Sequence, residues 1–186
     1  MSSSSIIFLV LLIVVAGVAA FALFRYVEEK RTRHLREKFG PEYGRLEKET
    51  GSRRAAEKRL EKREERVEKF AIHPLTAEER QRFSAEWQTV QVEFIDNPKA
   101  SLAHADDLLG TVMAARGYPV TDFAQRSADL SVDHPAVVQH YHAAHNVALA
   151  HRRGEANTED MRQAMIHYRA LFDELVAEPS HAHAAE

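Results

Sequence analysis

The sequence contains no cysteine, which excludes disulfides, thiolate catalysis and cysteine-based zinc sites. It has no glycine-rich phosphate loop, no G-x-S-x-G elbow and no H-E-x-x-H pair, so the common sequence signatures of phosphoryl, acyl and zinc hydrolysis are missing. No alternating apolar–polar run marks a strand. The one dense polar stretch holding Ser, Asp and His is Asp129-Leu130-Ser131-Val132-Asp133-His134-Pro135. Proximity along a chain is not triad geometry, and capping and turn roles account for it. These absences point to an all-α, non-enzymatic protein that needs no cofactor.

Charge is missing from Ile6 to Phe24, and Arg25 ends that run abruptly. About 20 apolar residues suffice for a helix to cross a hydrocarbon core of roughly 30 Å, and a helix satisfies its own backbone there. Residues 6–24 therefore read as a transmembrane helix behind a short polar N-terminus, residues 1–5. No Lys or Arg precedes the run, whereas Arg25, Lys30, Arg31, Arg33, Arg36 and Lys38 follow it. The positive-inside rule then puts the C-terminal side in the cytoplasm. The same six cations form a basic cluster expected to face anionic lipid headgroups. Ala20-Phe21-Ala22 matches an A-x-A cleavage pattern, so a secreted or periplasmic protein cut after Ala22 is the alternative. No GxxxG occurs in the run, which leaves anchor-driven dimerisation weakly signalled.

Residues 25–72 read as a basic, charged helical stalk, with 16 Lys+Arg against 11 Asp+Glu, a net +5. Gly40-Pro41 ends the first helix and starts a second. Thr50-Gly51-Ser52 is the next break, with Ser52 as the cap of a third helix running to about Phe70. That helix has only a thin apolar seam, Ala56, Leu60, Val67 and Phe70, interrupted by Arg63. Arg53–Glu57 and Glu65–Lys69 at i,i+4, with Lys58–Glu61 and Lys62–Glu65 at i,i+3, support it as a solvated spacer. A self-association or partner surface is the other reading, although Arg63 weakens any coiled coil. Interleaved glutamates argue against nucleic acid.

Residues 73–186 carry 9 Lys+Arg against 17 Asp+Glu, and residues 73–178 read as an acidic, small antiparallel helical bundle. Thr76 and Glu79 make a capping box for a helix bearing Phe83, Trp87, Val90 and Phe94. Asn97 and Pro98 start the next, with Leu102, Ala105, Leu108, Leu109, Val112 and Met113 on one face. A short helix follows from Thr121 or Asp122 through Leu130. Asp133 is expected to cap a fourth, with His134-Pro135 in its first turn and Gly154 as its stop. Asn157 and Asp160 start the last, with Met161, Ala164, Met165, Tyr168, Leu171, Phe172 and Leu175 inward. Residues 179–186 read as a disordered tail.

Histidine is abundant, with 11 in the chain. On the helix 134–153 only His142 and His145 have the spacing of two metal ligands on one face. His140 points roughly 140° away from His145 at 100° per residue. The plain reading of His145 is a neutral core imidazole beside Tyr141. The sharper alternative is metal or pH sensing through this helix, with His142 and His145 as candidate ligands and His104, Asp106 or Asp107 completing the set.

The stretches RTRHLREKFGPEYGRLEKETGSRRAAEKRLEKREERVEKF, HPLTAEERQRF, RGYPVTDFAQRSADLSVDHPAVVQHY and TEDMRQAMIHYRALFDEL together resemble an uncharacterised bacterial family of small single-pass membrane or secreted proteins. The resemblance spans nearly all of the chain beyond the anchor. It implies a bacterial inner-membrane or envelope setting and no activity, cofactor or catalytic residue. The expected role is a membrane-anchored scaffold or adaptor for a protein partner, or for a second copy of itself.

Overall fold

The structure is a computed structural model that describes residues 3–177; the tail expected at 179–186 lies outside the described residues. Among these there are eight α-helices and no strand. They are α1 (Ser3–Phe39), α2 (Pro41–Thr50), α3 (Arg53–Val67), α4 (Ala77–Asp96), α5 (Pro98–Ala115), α6 (Phe123–Asp133), α7 (Val138–Arg152) and α8 (Thr158–Val176).

Helix α1 begins at Ser3, inside the stretch expected to be a polar lead, and runs unbroken for 37 residues. At 1.5 Å per residue that is about 55 Å. Its segment Leu11–Phe39 has a window of mean hydropathy 2.0 with none of it buried. Leu11, Ile13, Val18, Phe21 and Phe24 are each 57% exposed or more. An apolar surface of that extent calls for a covering partner, whether lipid or protein. By length and composition α1 can cross a membrane, and its N-terminal position equally suits a signal sequence.

The bundle is built as its apolar stripes dictate. Phe83, Trp87 and Val90 of α4, Leu108, Leu109 and Val112 of α5, Val138, Tyr141 and Ala144 of α7, and Tyr168, Leu171 and Phe172 of α8 share one core. Neighbours run α4–α5–α8–α7–α6. The Trp87 ring stacks on Phe172, with centroids 4.7 Å apart. Three helix starts form as expected: the Thr76–Glu79 and Asn157–Asp160 capping boxes, and Asn97 accepting from Ala100 N–H ahead of Pro98. Asp122 caps α6.

One start differs. Asp133 closes α6 instead of opening α7, because its carboxylate is taken by the Tyr118 hydroxyl at 2.8 Å. Residues 134–137 form a turn, and α7 starts after Val137 without a side-chain cap. Ser52 does precede α3, but its side chain makes no capping bond.

The larger correction concerns residues 25–72. They are not a solvated spacer. Leu35 and Phe39 of α1, Tyr43 and Leu46 of α2, and Ala56, Leu60 and Val67 of α3 form a second core, closed by Val132 of α6. The thin seam of α3 is thin because α1 and α2 supply most of the apolar surface that covers it. Cross-helix pairs ascend together along α1 and α3: Glu28 with Arg54, Thr32 with Glu57, His34 and Lys38 with Glu64. Helices α1 and α3 are therefore parallel, with α2 returning antiparallel between them. Phe70 and Ile72 pack against both cores.

The segment leading from α3 to α4 lies against the α5–α6 turn, where His73 N–H donates to the Arg116 carbonyl at 3.0 Å. Gly117 sits in that contact with φ +92, and an added Cβ would stand 2.3 Å from the Ala71 carbonyl oxygen. Gly117→Ala is expected to cost at least about 1–3 kcal/mol in backbone strain, plus the displacement of one of the two backbones. Gly154→Ala, with φ +75 and open space around it, carries only the strain. Thermal melts of the two variants should separate them clearly, and equal melting points would contradict the close approach.

Candidate functional site: the α1–α3 unit and its polar seam

The six cations beyond the apolar run do not form one lipid-facing set. Arg31 donates to Glu61, and Lys38 Nζ donates to Glu64 at 2.5 Å, so these two are turned toward α3. Arg36 lies 5.2 Å over the Tyr43 ring, and Arg25 approaches Glu29 at 3.7 Å. Lys30 and Arg33 are exposed and have no ion pair among the described residues. The basic cluster is thus divided, part of it turned toward α2 and α3 and part of it exposed.

A polar seam joins helices α1–α3 to the bundle. Glu42, on α2, is fully buried. Arg45 grips it with two bonds, Nε to Oε2 and Nη2 to Oε1, both 2.6 Å. Arg63 Nη1 adds a third at 2.7 Å and also donates to Ser131 Oγ on α6 at 3.0 Å. Burial alone would raise the Glu42 pKa, but the hydrogen bonds and charges of Arg45 and Arg63 outweigh it and hold the carboxyl below its ordinary value.

One turn further along α3, Arg66 Nε donates to Asp129 Oδ1 at 3.1 Å, and Gln125 Nε2 reaches the same oxygen at 2.7 Å. For Asp129 burial prevails over those partners, and its pKa is raised. A third buried carboxylate, Glu57, accepts from the hydroxyls of Thr32 and Tyr43, each at 2.9 Å.

The predicted histidine pair lies beside this seam. His145 stacks on the Phe123 ring with centroids 3.5 Å apart and planes 6° off parallel. His142 meets the same ring edge-on at 5.5 Å. Burial lowers the pKa of both; Arg45 adds to it at His142, while Asp106 opposes it at His145. His142 Nε2 is buried with no hydrogen-bond partner among the described residues.

Two of the three residues that would complete a metal set are occupied elsewhere. His104 pairs with Glu93 at 3.0 Å, and Asp106 takes Arg126 at 3.1 Å. Among the described residues no group of three His, Asp or Glu is placed to hold an ion. A contact outside the expected pair is His140 Nδ1 to His167 Nδ1, 2.9 Å apart across α7 and α8.

The seam residues Glu42, Arg45, Asp129 and Ser131 carry no motif. The signal that existed was Arg63, a cation in the middle of an apolar seam, which requires a buried acceptor wherever that seam packs.

Fold and site together define an all-α protein with one apolar N-terminal helix and a helical bundle joined through a charged interface. No family model matches the chain, and no curated protein or solved structure matches it either.

Proposed function

We propose that the protein is a single-pass, non-enzymatic membrane protein that holds its bundle at the cytoplasmic face of a bacterial inner membrane, as a scaffold or adaptor for another protein. One observation carries this reading: the helix bearing the apolar run contributes Leu35 and Phe39 to a packed core that is locked to α6 through Arg63 and Arg66. A bundle held in that way keeps one orientation to the membrane, which suits presenting a surface to a partner. The cation asymmetry across the apolar run supports the N-out, C-in arrangement.

The test uses single-cysteine variants of the cysteine-free chain. A maleimide should reach Gln88→Cys, exposed on α4, only after the inner membrane is permeabilised. Labelling from the periplasmic side sinks the cytoplasmic version. Affinity capture from detergent-solubilised membranes then asks for a specific partner. Secretion after Ala22 remains the competing outcome, since cleavage there leaves the core residues Leu35 and Phe39 in place; the N-terminal sequence of the mature protein decides it.

A second reading, pH sensing through α7, is favoured by the unpartnered His142 Nε2 at the seam. His142, His145 and His167 all have lowered pKa values, by burial first, with His140 also acting on His167. Protons therefore bind these three more readily in the unfolded chain, and stability falls as pH drops below about 6.5. His104, raised by Glu93, acts with opposite sign, since its contribution is lost as pH rises through its folded pKa. With three groups against one, the melting temperature is expected to fall between pH 7 and pH 5. His142→Asn should flatten the slope. An unchanged slope removes His142 from the reading.

A further inference from the structure

The parallel register of α1 and α3 returns a distant part of the chain to the place where α1 leaves the apolar run. Helix α1 descends from Arg25 to Phe39, α2 climbs back, and α3 starts again beside Glu28, where Arg54 approaches its carboxylate at 3.7 Å. Glu28 is three residues past Arg25, which is about 4.5 Å along a helix axis. The polar layer on one side of a bilayer is roughly 5–7 Å thick, being half the difference between total and hydrocarbon thickness. With the apolar run seated in the membrane, the α2–α3 turn therefore stands at headgroup level.

Its charge suits that place. Lys48 is exposed without an ion pair among the described residues. The Arg54 side chain is 85% exposed, and that of Arg53 is 46% exposed with its Nε 3.3 Å from the buried Glu57 carboxylate. Of the nearby acids, Glu49 is engaged by Arg45 at 2.9 Å and Arg59 at 3.1 Å, Glu28 faces Arg54 and Glu57 faces Arg53, while Glu47 adjoins Lys48. Side chains on a helix lean toward its N-terminus. Because α1 and α3 both run away from the membrane, Lys30, Arg33, Arg53 and Arg54 lean toward it; Lys48, in the last turn of the climbing α2, leans the other way and takes part through its place at the turn and its long flexible stem.

We propose that the α2–α3 turn is a second membrane contact, in which Lys48, Arg53 and Arg54 bind anionic phospholipid headgroups beside the exit of α1. The contact is distinct from the cation cluster 25–38, lies about twenty residues further on in sequence, and exists only because α2 folds back. It rests on the reading of α1 as a membrane span.

The full-length protein, free of native cysteine, is labelled with a fluorophore at Ser52→Cys, at Glu68→Cys beyond the far end of α3, or at Val18→Cys in the apolar run. It is reconstituted in nanodiscs of phosphatidylcholine with or without phosphatidylglycerol. Spin-labelled lipids carry the quencher at the headgroup or in the acyl chain.

The dye at position 52 is expected to be quenched several-fold more by headgroup labels than the dye at position 68. Phosphatidylglycerol should increase that difference, and Lys48→Gln/Arg53→Gln/Arg54→Gln should abolish the increase while leaving helical circular dichroism unchanged. Acyl-chain quenching at position 18 shows that the span is seated. Given that, equal quenching at 52 and 68, or indifference to the triple variant, overturns the headgroup contact. Absence of acyl-chain quenching at 18 overturns the membrane reading itself, and this contact with it.

Discussion

Glu42→Ala is expected to destabilise the protein by about 3–5 kcal/mol, the cost typical of leaving a buried ion pair without one partner. Arg63 has a side chain only 15% exposed, and its remaining acceptor would be the Ser131 hydroxyl. Arg45, at 36% exposure, can turn outward to Glu49. The loss therefore concentrates on Arg63 and on the α3–α6 contact that it serves. For a chain of this size, each kcal/mol moves the melting point by about 2–4 °C, so a fall of roughly 10 °C is expected. Glu42→Met combined with Arg63→Leu should recover much of it, since apolar residues of similar volume often replace a buried pair without penalty. Urea or thermal unfolding of the purified full-length protein gives the measurement. A loss below about 1 kcal/mol for the single variant would place Glu42 in a solvated, surface-type pair.

Phe39→Ala tests the same region through its apolar side. Phe39 is fully buried at the last residue of α1, and truncating a buried phenylalanine costs about 3–5 kcal/mol. The competing picture, residues 25–72 as an independent spacer, predicts only local fraying and no change in the melting of the bundle. Ile95→Ala, at a position 79% exposed, is the control and should stay within about 0.5 kcal/mol. Limited proteolysis adds a second readout. Phe39→Ala should open cleavage at the basic residues around the α2–α3 turn before the bundle is cut.

Local signals carried much of the fold. Thr76–Glu79, Asn97-Pro98 and Asn157–Asp160 mark helix starts through bonds that close within four residues, so they are visible without tertiary context. The stripes on α4, α5 and α8 are wide enough to require a core, and they have one. Asp133 misled because its capping chemistry is equally suited to accepting from Tyr118, fifteen residues away, and no local pattern ranks the two. The α1–α2–α3 unit was hidden for a different reason. Each helix taken singly is too polar to demand burial, and only the fold-back at Gly40-Pro41 and Gly51 sums three narrow seams into one core. The seam with α6 was hidden further still. Its carboxylates, Glu42 and Asp129, look like surface residues until Arg63 and Arg66 are brought to them.

Helix α1 has a mechanical consequence. Its described residues pass from Leu11 to Phe39 with no proline and no break, and its last turns are wedged among α2, α3 and α6. A tether would let the bundle swivel. Here an unbroken helix leads straight into the packed core. Spanning helices tilt by about 20° on average, and with α1 seated as the proposed span, a change of tilt or rotation would be carried through Leu35 and Phe39 toward the seam at Glu42 and Asp129. On the proposed reading of residues 6–24 as a membrane span, the geometry of the surrounding lipid would be coupled directly to the ion pairs that join α3 to α6.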